Sequence, residues 1–385
     1  MQYANDSLAI ALALLTLLVT ASATADALEP ELTSAEKRLL DAFAGWPLQP
    51  PADPGNEFSG QAWAEKAGER LFFDADLSSS KTISCATCHQ AAKGFTDGLT
   101  TGQGIQTHVR NTQGLLDVGL QRWFGWDGGA DSLWAASLRP MLSPIEMGGD
   151  VTTIAHRLRS KPYFEPALIH ADLLDETATN DEEVLVLAAK TIGAYLRTLS
   201  SAATPFDRYV SALQKNDLEK QSQYPKSALR GLTLFLGESN CHVCHFGPNF
   251  SNAEFHDTGR PFFTGVGEVD PGRYAGIKRV RQDRFNLLGE YNRSDNHNDA
   301  LKTETVTLGQ VNFGQWRTPS LRNLTHTAPY THDGSLPTLR AVVDAYADID
   351  PTRLHSQGEA ILRPLDLTDN EREDLVNFLK SLSAQ

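Results

Sequence analysis

Methionine is almost missing from this chain: Met1, Met141 and Met147 are the only ones in 385 residues. Any site built from the C-terminal half must therefore do without a methionine ligand from that half. Cysteine is just as scarce, with Cys85, Cys88, Cys241 and Cys244 falling into two close pairs. That spacing excludes a disulfide-rich scaffold. Long apolar runs are lacking as well. The one candidate, "LAIALALLTLLV", is about a dozen residues, short of the roughly twenty that a spanning helix needs. Positive charge is also in deficit, with 34 Lys and Arg against 48 Asp and Glu, a net charge of −14 at pH 7. The balance argues against a nucleic-acid partner and for a solvated acidic surface, to which a basic protein would be steered. No succession of alternating apolar and polar residues suggests a strand-built fold.

What is present begins with the cysteines. Both pairs sit in Cys-x-x-Cys-His, as "CATCH" ending at His89 and "CHVCH" ending at His245. A bare Cys-x-x-Cys could be a redox pair or half a zinc site. The adjoining His in both copies, with no further Cys, points to two covalent c-type haems, with His89 and His245 as iron ligands. No thiol is then left for a disulfide or a nucleophile. Because no Met follows the second motif, the other face of that iron takes a different ligand or stays open.

The N-terminus fits an exported protein. The short apolar run is followed by "ASATADA", with small residues before a cut between Ala25 and Asp26, so residues 1–25 read as a signal peptide. The opening "MQYANDS" has no Lys or Arg, and an uncleaved anchor is the alternative. Attachment of haem to Cys-x-x-Cys-His also needs export, which places the mature chain in a bacterial periplasm with no stable membrane anchor.

The rest reads as mainly α with long loops, in two domains. "DEEVLVLAAKTIGAYLRTLS" has helical apolar spacing and acids in its first turn. "LTDNEREDLVNFLKSL" opens with a capping box, Thr368 with Glu371, and sets Leu375, Phe378, Leu379 and Leu382 on one face. "GRPFFTGVGEVDPGRYAG" reads as loop. A loose internal repeat joins "GERLFFDADLSSSKTISCATCHQAAKGFTDG" to "GLTLFLGESNCHVCHFGPNFSN". Each copy has an apolar helical segment, a polar turn, the haem motif, and then Gly and Phe. Each is followed far downstream by an amphipathic helix. The boundary falls near "ATPFDRYVSALQKNDLEKQ", giving an N-terminal haem domain over 26–210 and a C-terminal one over 211–385. The basic run "KRVRQDR" is a candidate partner for haem propionates or acidic side chains. His156, His170 and His297 lack motif context.

From about Phe58 to Leu382 the chain resembles the bacterial di-haem cytochrome c peroxidase and MauG family. "LFFDADLS", "SCATCH", "RNTQG", "FGWDGGADSLW", "PIEMG" and "RTPSLRNLTHTAPYTHDGSLPTLRAVV" carry the likeness, in the family's order. The resemblance implies that the N-terminal haem meets peroxide and the C-terminal haem exchanges or stores electrons, with Ca²⁺ between them. Glu146 in "SPIEMG" matches the family's distal acid, which carries a proton during O–O cleavage, and Pro140 shapes the same pocket. Trp126 in "FGWDGG" matches the bridging indole. Asn111, with the carbonyls of Thr327 and Pro329, matches the calcium site, whose oxygen ligands suit a hard cation. Many family peroxidases have a distal His where this chain has Gln103 in "TGQG", so the first haem is expected to be open. His108 is close by and reads more simply as a surface or propionate-bonded residue.

Tyr346, in "LRAVVDAYADID", matches the place where family peroxidases supply Met to the C-terminal haem and MauG-type members supply Tyr. A phenolate there would favour the higher oxidation states of iron. His326, His332 and His355 are the competing ligands. The resemblance thus favours a periplasmic MauG-type peroxidase that uses hydrogen peroxide to form a high-valent di-haem state and oxidise a partner protein. The alternative is a peroxide-detoxifying cytochrome c peroxidase drawing electrons from a small cytochrome c or cupredoxin. One family member uses a surface Trp just before the second haem motif, and here that place is Ser239.

Overall fold

A computed structural model describes residues 31–53, 55–175, 180–260, 263–265, 267–294, 297–350 and 362–384. The expected signal peptide, Met1 and His355 lie outside them. The helices that position the site are α1 (Ala62–Phe72), α2 (Leu133–Leu142), α3 (Asp181–Leu196), α4 (Pro205–Gln214), α5 (Lys226–Leu236), α6 (Arg273–Gln282), α7 (Leu339–Ala347) and α8 (Asp369–Ser381). Strands are short: β1 (Phe255–Asp257), β2 (Phe263–Gly265), β3 (Glu268–Val269) and β4 (Gln315–Arg317). β1 pairs with β4 and β2 with β3, both antiparallel. The fold is mainly helical, as the sequence suggests. The stretch expected to be loop instead contains β2, β3 and the start of α6, because strands of two or three residues are too short to show alternation.

Local chemistry accounts for the helix ends. Asn180 caps α3 by accepting the Glu183 N–H, while the Glu183 carboxylate returns to the Asn180 N–H. Thr368 and Glu371 form the same box at α8. Twelve of the sixteen residues of α3 are buried, since it runs through the middle of the first apolar cluster rather than along its surface.

Two clusters form the core. The first gathers α1, α2 and α3, including Leu71, Phe72, Trp134, Met141, Met147 and Ile192. The second gathers α4, α5, α7 and α8 with the N-terminal segment, including Phe43, Phe206, Phe235, Phe250, Phe378 and Leu382. Each is built on a helix pair that meets at a glycine. A Cβ on Gly68 of α1 would fall 1.9 Å from the Thr191 carbonyl oxygen of α3. A Cβ on Gly231 of α5 would fall 2.0 Å from the Asp374 carbonyl oxygen of α8. Only hydrogen fits at either crossing, so each haem-motif helix lies against the backbone of its downstream partner. Among the described residues no helix is long and apolar enough to cross a membrane.

Candidate functional site

Each Cys-x-x-Cys-His motif closes with its histidine pinned from behind. The His89 Nδ1–H donates to the Phe95 carbonyl at 2.9 Å, and the His245 Nδ1–H to the Phe250 carbonyl at 3.0 Å. Both carbonyls come from a phenylalanine in the left-handed region, φ 61° and 50°, a costly conformation for a bulky side chain. The bond fixes the tautomer and leaves Nε2 as a lone pair. Burial keeps both rings neutral: His245 is pushed down to about 4 and His89 is also lowered. Burial pushes the thiols up, Cys85 and Cys241 to about 12 and Cys88 to about 11. The residue chemistry at both motifs fits a thioether-linked haem with a neutral imidazole ligand.

The second motif opens into a cavity of about 580 Å³. Cys241, Cys244 and His245 line it together with Tyr346 from α7 and an apolar surface that includes Phe235, Leu339, Val343 and Leu379. A largely apolar chamber of this size, with a few polar groups converging on it, suits a flat organic cofactor. Of the competing ligands, His326 is exposed, with Nε2 3.3 Å from the Ala384 carbonyl. His332 is buried and lines the cavity, stacked on Trp316 with ring centroids 3.7 Å apart. Met141 and Met147 are buried in the first apolar cluster.

Trp126 lies on the wall of this cavity. Its indole N–H donates to the Asn111 carbonyl at 2.9 Å, and its own carbonyl accepts the Arg317 N–H at 3.0 Å. Asn111, Thr327 and Pro329 line the same cavity. Asn111 is fixed by its Nδ2, which donates to the Leu99 carbonyl at 2.9 Å, and by its backbone N–H on the His332 carbonyl at 2.8 Å. Among the described residues no cluster of three His, Cys, Asp or Glu could hold a metal ion; Asn111, Thr327 and Pro329 would offer a cation neutral oxygens. Gly94 and Thr96 also line the cavity. They flank Phe95, whose carbonyl holds His89, so one short segment serves both motifs.

Glu146 belongs to the first motif. It follows α2 in a turn closed by the Glu146 N–H on Ser143 O at 3.1 Å and the Met147 N–H on Pro140 O at 3.2 Å. The "TGQG" hairpin is zipped to this turn, with Ile105 N–H on Glu146 O and Gln106 N–H on Ile145 O, both 2.9 Å. A Cβ on Gly104 would fall 2.6 Å from the Glu146 Cα, so the two loops touch backbone to backbone. The Glu146 charge acts on Cys85, Cys88, His89 and His108, so the carboxylate lies in the neighbourhood of the first haem motif. The Gln103 amide is occupied within its own hairpin, accepting from Thr107 Oγ1 at 3.1 Å and donating to the Thr101 carbonyl at 3.3 Å. The His108 Nδ1 accepts the Arg110 N–H at 2.9 Å.

Sequence reading passed over Arg110, although it adjoins Asn111. Its guanidinium takes Asp270 with Nε and Nη2 at 2.6 and 2.7 Å and Asp127 at 2.8 Å, and it lies 5.1 Å over the Trp316 ring. Long-range pairs of this kind have no local signal. The basic run near residue 280 pairs with acids: Arg279 with Asp127 at 2.8 Å and Arg284 with Glu182. None of its residues lines the cavity.

Residues 64–215 match the model of a protein family described as di-haem cytochrome c peroxidase. The methylamine utilization protein MauG of Methylorubrum extorquens is 32% identical over 367 residues, 95% of this chain and 89% of that protein. A cytochrome-c peroxidase, IdrP1, of a Pseudomonas species (strain SCT) is also 32% identical, over 88% of this chain and 85% of its own length. Among solved structures, a MauG-like protein associated with microbial copper homeostasis superposes with a TM-score of 0.64 at 25% identity, covering 89% of this chain and 96% of that one.

Proposed function

The chain belongs to the di-haem cytochrome c peroxidase family, which includes MauG, and on that premise we propose that it is a MauG-type enzyme that uses hydrogen peroxide to oxidise a partner protein. It is an oxidoreductase, and the cofactors of its family are two haems. Held through Cys85, Cys88 and His89 and through Cys241, Cys244 and His245, the haems supply peroxide reduction and a store of oxidising equivalents.

The protein's own groups direct that chemistry. The Glu146 carboxylate, held by the hairpin at Gly104, carries the proton from one peroxide oxygen to the other. With the Gln103 amide engaged in its hairpin, Gln103 would leave the first site open to peroxide. The Trp126 indole relays a hole between the two sites. Tyr346 lines the His245 cavity, where its phenolate would be a hard anionic ligand. Asn111 and the carbonyls of Thr327 and Pro329 would hold a Ca²⁺ ion through neutral oxygens. The enzyme works in the periplasm, exported by residues 1–25, with haem domains whose sequence bounds are 26–210 and 211–385, although Phe43 and Phe206 pack with the second.

Tyr346 carries the MauG-type reading. It shares the cavity with His245, and both described methionines are buried in the other cluster. A second reading, peroxide detoxification with a small cytochrome c or cupredoxin as donor, is favoured by relatives bearing either name at equal identity. Mixing purified protein with peroxide, with and without reduced donors, separates the two. The first predicts a long-lived oxidised spectrum without prior reduction and modified side chains on a partner protein. Rapid turnover of a small reduced cytochrome, only after the second haem is reduced, supports the second.

A further inference from the structure

The wall of the His245 cavity has the opposite charge to the protein around it. The chain carries −14 overall. Yet among the described residues that line this cavity Asp257 is the only carboxylate, against Arg260, Arg317, Arg322 and Arg363. Arg322 is neutralised by Asp207, with both Nη atoms 2.9 Å from its carboxylate. Arg363 is exposed to water. Arg317 is neither paired nor solvated. It is 4% exposed on β4, its Nε donates to the Gly125 carbonyl at 3.3 Å, and no carboxylate among the described residues pairs with it. Burial pushes its pKa down to about 10, with no acid acting against that shift.

Other buried cations here are better met: Arg273, also without an ion pair among the described residues, lies 3.9 Å over the Phe255 ring and donates to the Asp127 and Gly128 carbonyls. Arg110 has Asp127 and Asp270, and Lys190 has Glu57 at 2.5 Å. A buried guanidinium without a counter-ion is costly, so the anion Arg317 requires comes from whatever fills the cavity. A planar guanidinium fork matches a carboxylate. Resting on the reading that the cavity takes a c-type haem, we infer that Arg317 is the seat of a haem propionate and the positive charge that opposes Tyr346 in setting the second haem's potential. Arg260, whose Nε is buried without a partner on the same wall, is the nearest rival.

The test uses the mature full-length holoprotein as wild type, Arg317→Gln, Arg317→Lys and Arg260→Gln. A pyridine haemochrome count comes first. One haem in the wild type would overturn the underlying reading, whatever the variants do. With two haems present, Arg317→Gln should lower the midpoint potential of the second haem and leave the first unchanged. Removing one charge from a low-dielectric site should change the oxidised-to-reduced ratio by about tenfold, which is 59 mV for a one-electron couple. The propionate bending band in resonance Raman should shift with it, and Arg317→Lys should restore most of the potential. If Arg317→Gln fails to mature, the lysine variant still decides, through a partial fall in potential with a shifted bending band. An unchanged potential and band in the Arg317 variants, or the full effect in Arg260→Gln alone, overturns the inference.

Discussion

Phe95 and Phe250 bend the backbone into the left-handed region and each offers its carbonyl to a haem-motif histidine. The same arrangement occurs in both halves, so the fold leaves each Nε2 free to serve as a ligand. Function beyond that rests on single side chains. Glu146→Gln should keep both haems and slow the reaction with peroxide by about 10²–10⁴, the scale of a lost general acid–base. An unchanged stopped-flow rate would remove Glu146 as the proton carrier. Tyr346→Met should raise the second haem's midpoint potential, since a thioether favours the reduced metal more than a phenolate does. Tyr346→His should keep that haem six-coordinate and low-spin by EPR but shorten the life of the oxidised species. If neither variant changes the potential or the EPR signal, ligation passes to His332 or His355.

At the scale of elements, the two helix crossings are the points where function meets stability. Gly68 and Gly231 each place one helix on the carbonyl of another, and nothing in a backbone can yield as a long side chain would. Alanine at either site must push the helices apart, at a cost of about 1–3 kcal/mol for an overpacked core. Because the crossings belong to different clusters, the effects should separate. Gly68→Ala should perturb the first haem's spectrum and lower the thermal midpoint, with the second haem unchanged. Gly231→Ala should do the reverse. Equal perturbation of both haems by either variant would show that the clusters do not act as separate units.

Across the whole molecule, Arg110 joins distant parts of the chain by gripping Asp127 and Asp270 at once. The guanidinium groups of Arg110, Arg279 and Arg139 hold the fully buried Asp127 carboxyl well below the usual carboxylate range. A lowered folded-state pKa gives stability that is present above the unfolded value of about 4 and is lost as pH falls below it. Urea midpoints should therefore drop steeply below about pH 4, and Asp127→Asn should be weaker at neutral pH with a shallower acid slope. An identical acid profile in the variant would assign acid lability to other groups. Haem stoichiometry is also a property of the whole chain. Cys85→Ala and Cys241→Ala should each remove one of two haems in a haemochrome assay.

Much of the proposed site is local and could be read from the chain. The Cys-x-x-Cys-His spacing is itself the attachment chemistry, capping boxes such as Thr368–Glu371 act within one turn, and the lack of methionine after residue 147 needs only counting. The basic run near residue 280 could not be assigned that way, and neither could Arg110 or Arg317. Arg279 and Arg284 of that run fall opposite Asp127 and Glu182, more than a hundred residues away. Whether a guanidinium finds a carboxylate, water or an apolar wall depends on what the chain brings back from far off. Composition and spacing thus pointed to two c-type haems, with His89 and His245 as the expected ligands. Tertiary packing alone decided that Tyr346, Trp126 and the unpaired Arg317 share one cavity, because burial and long-range charge pairing have no signature in local sequence.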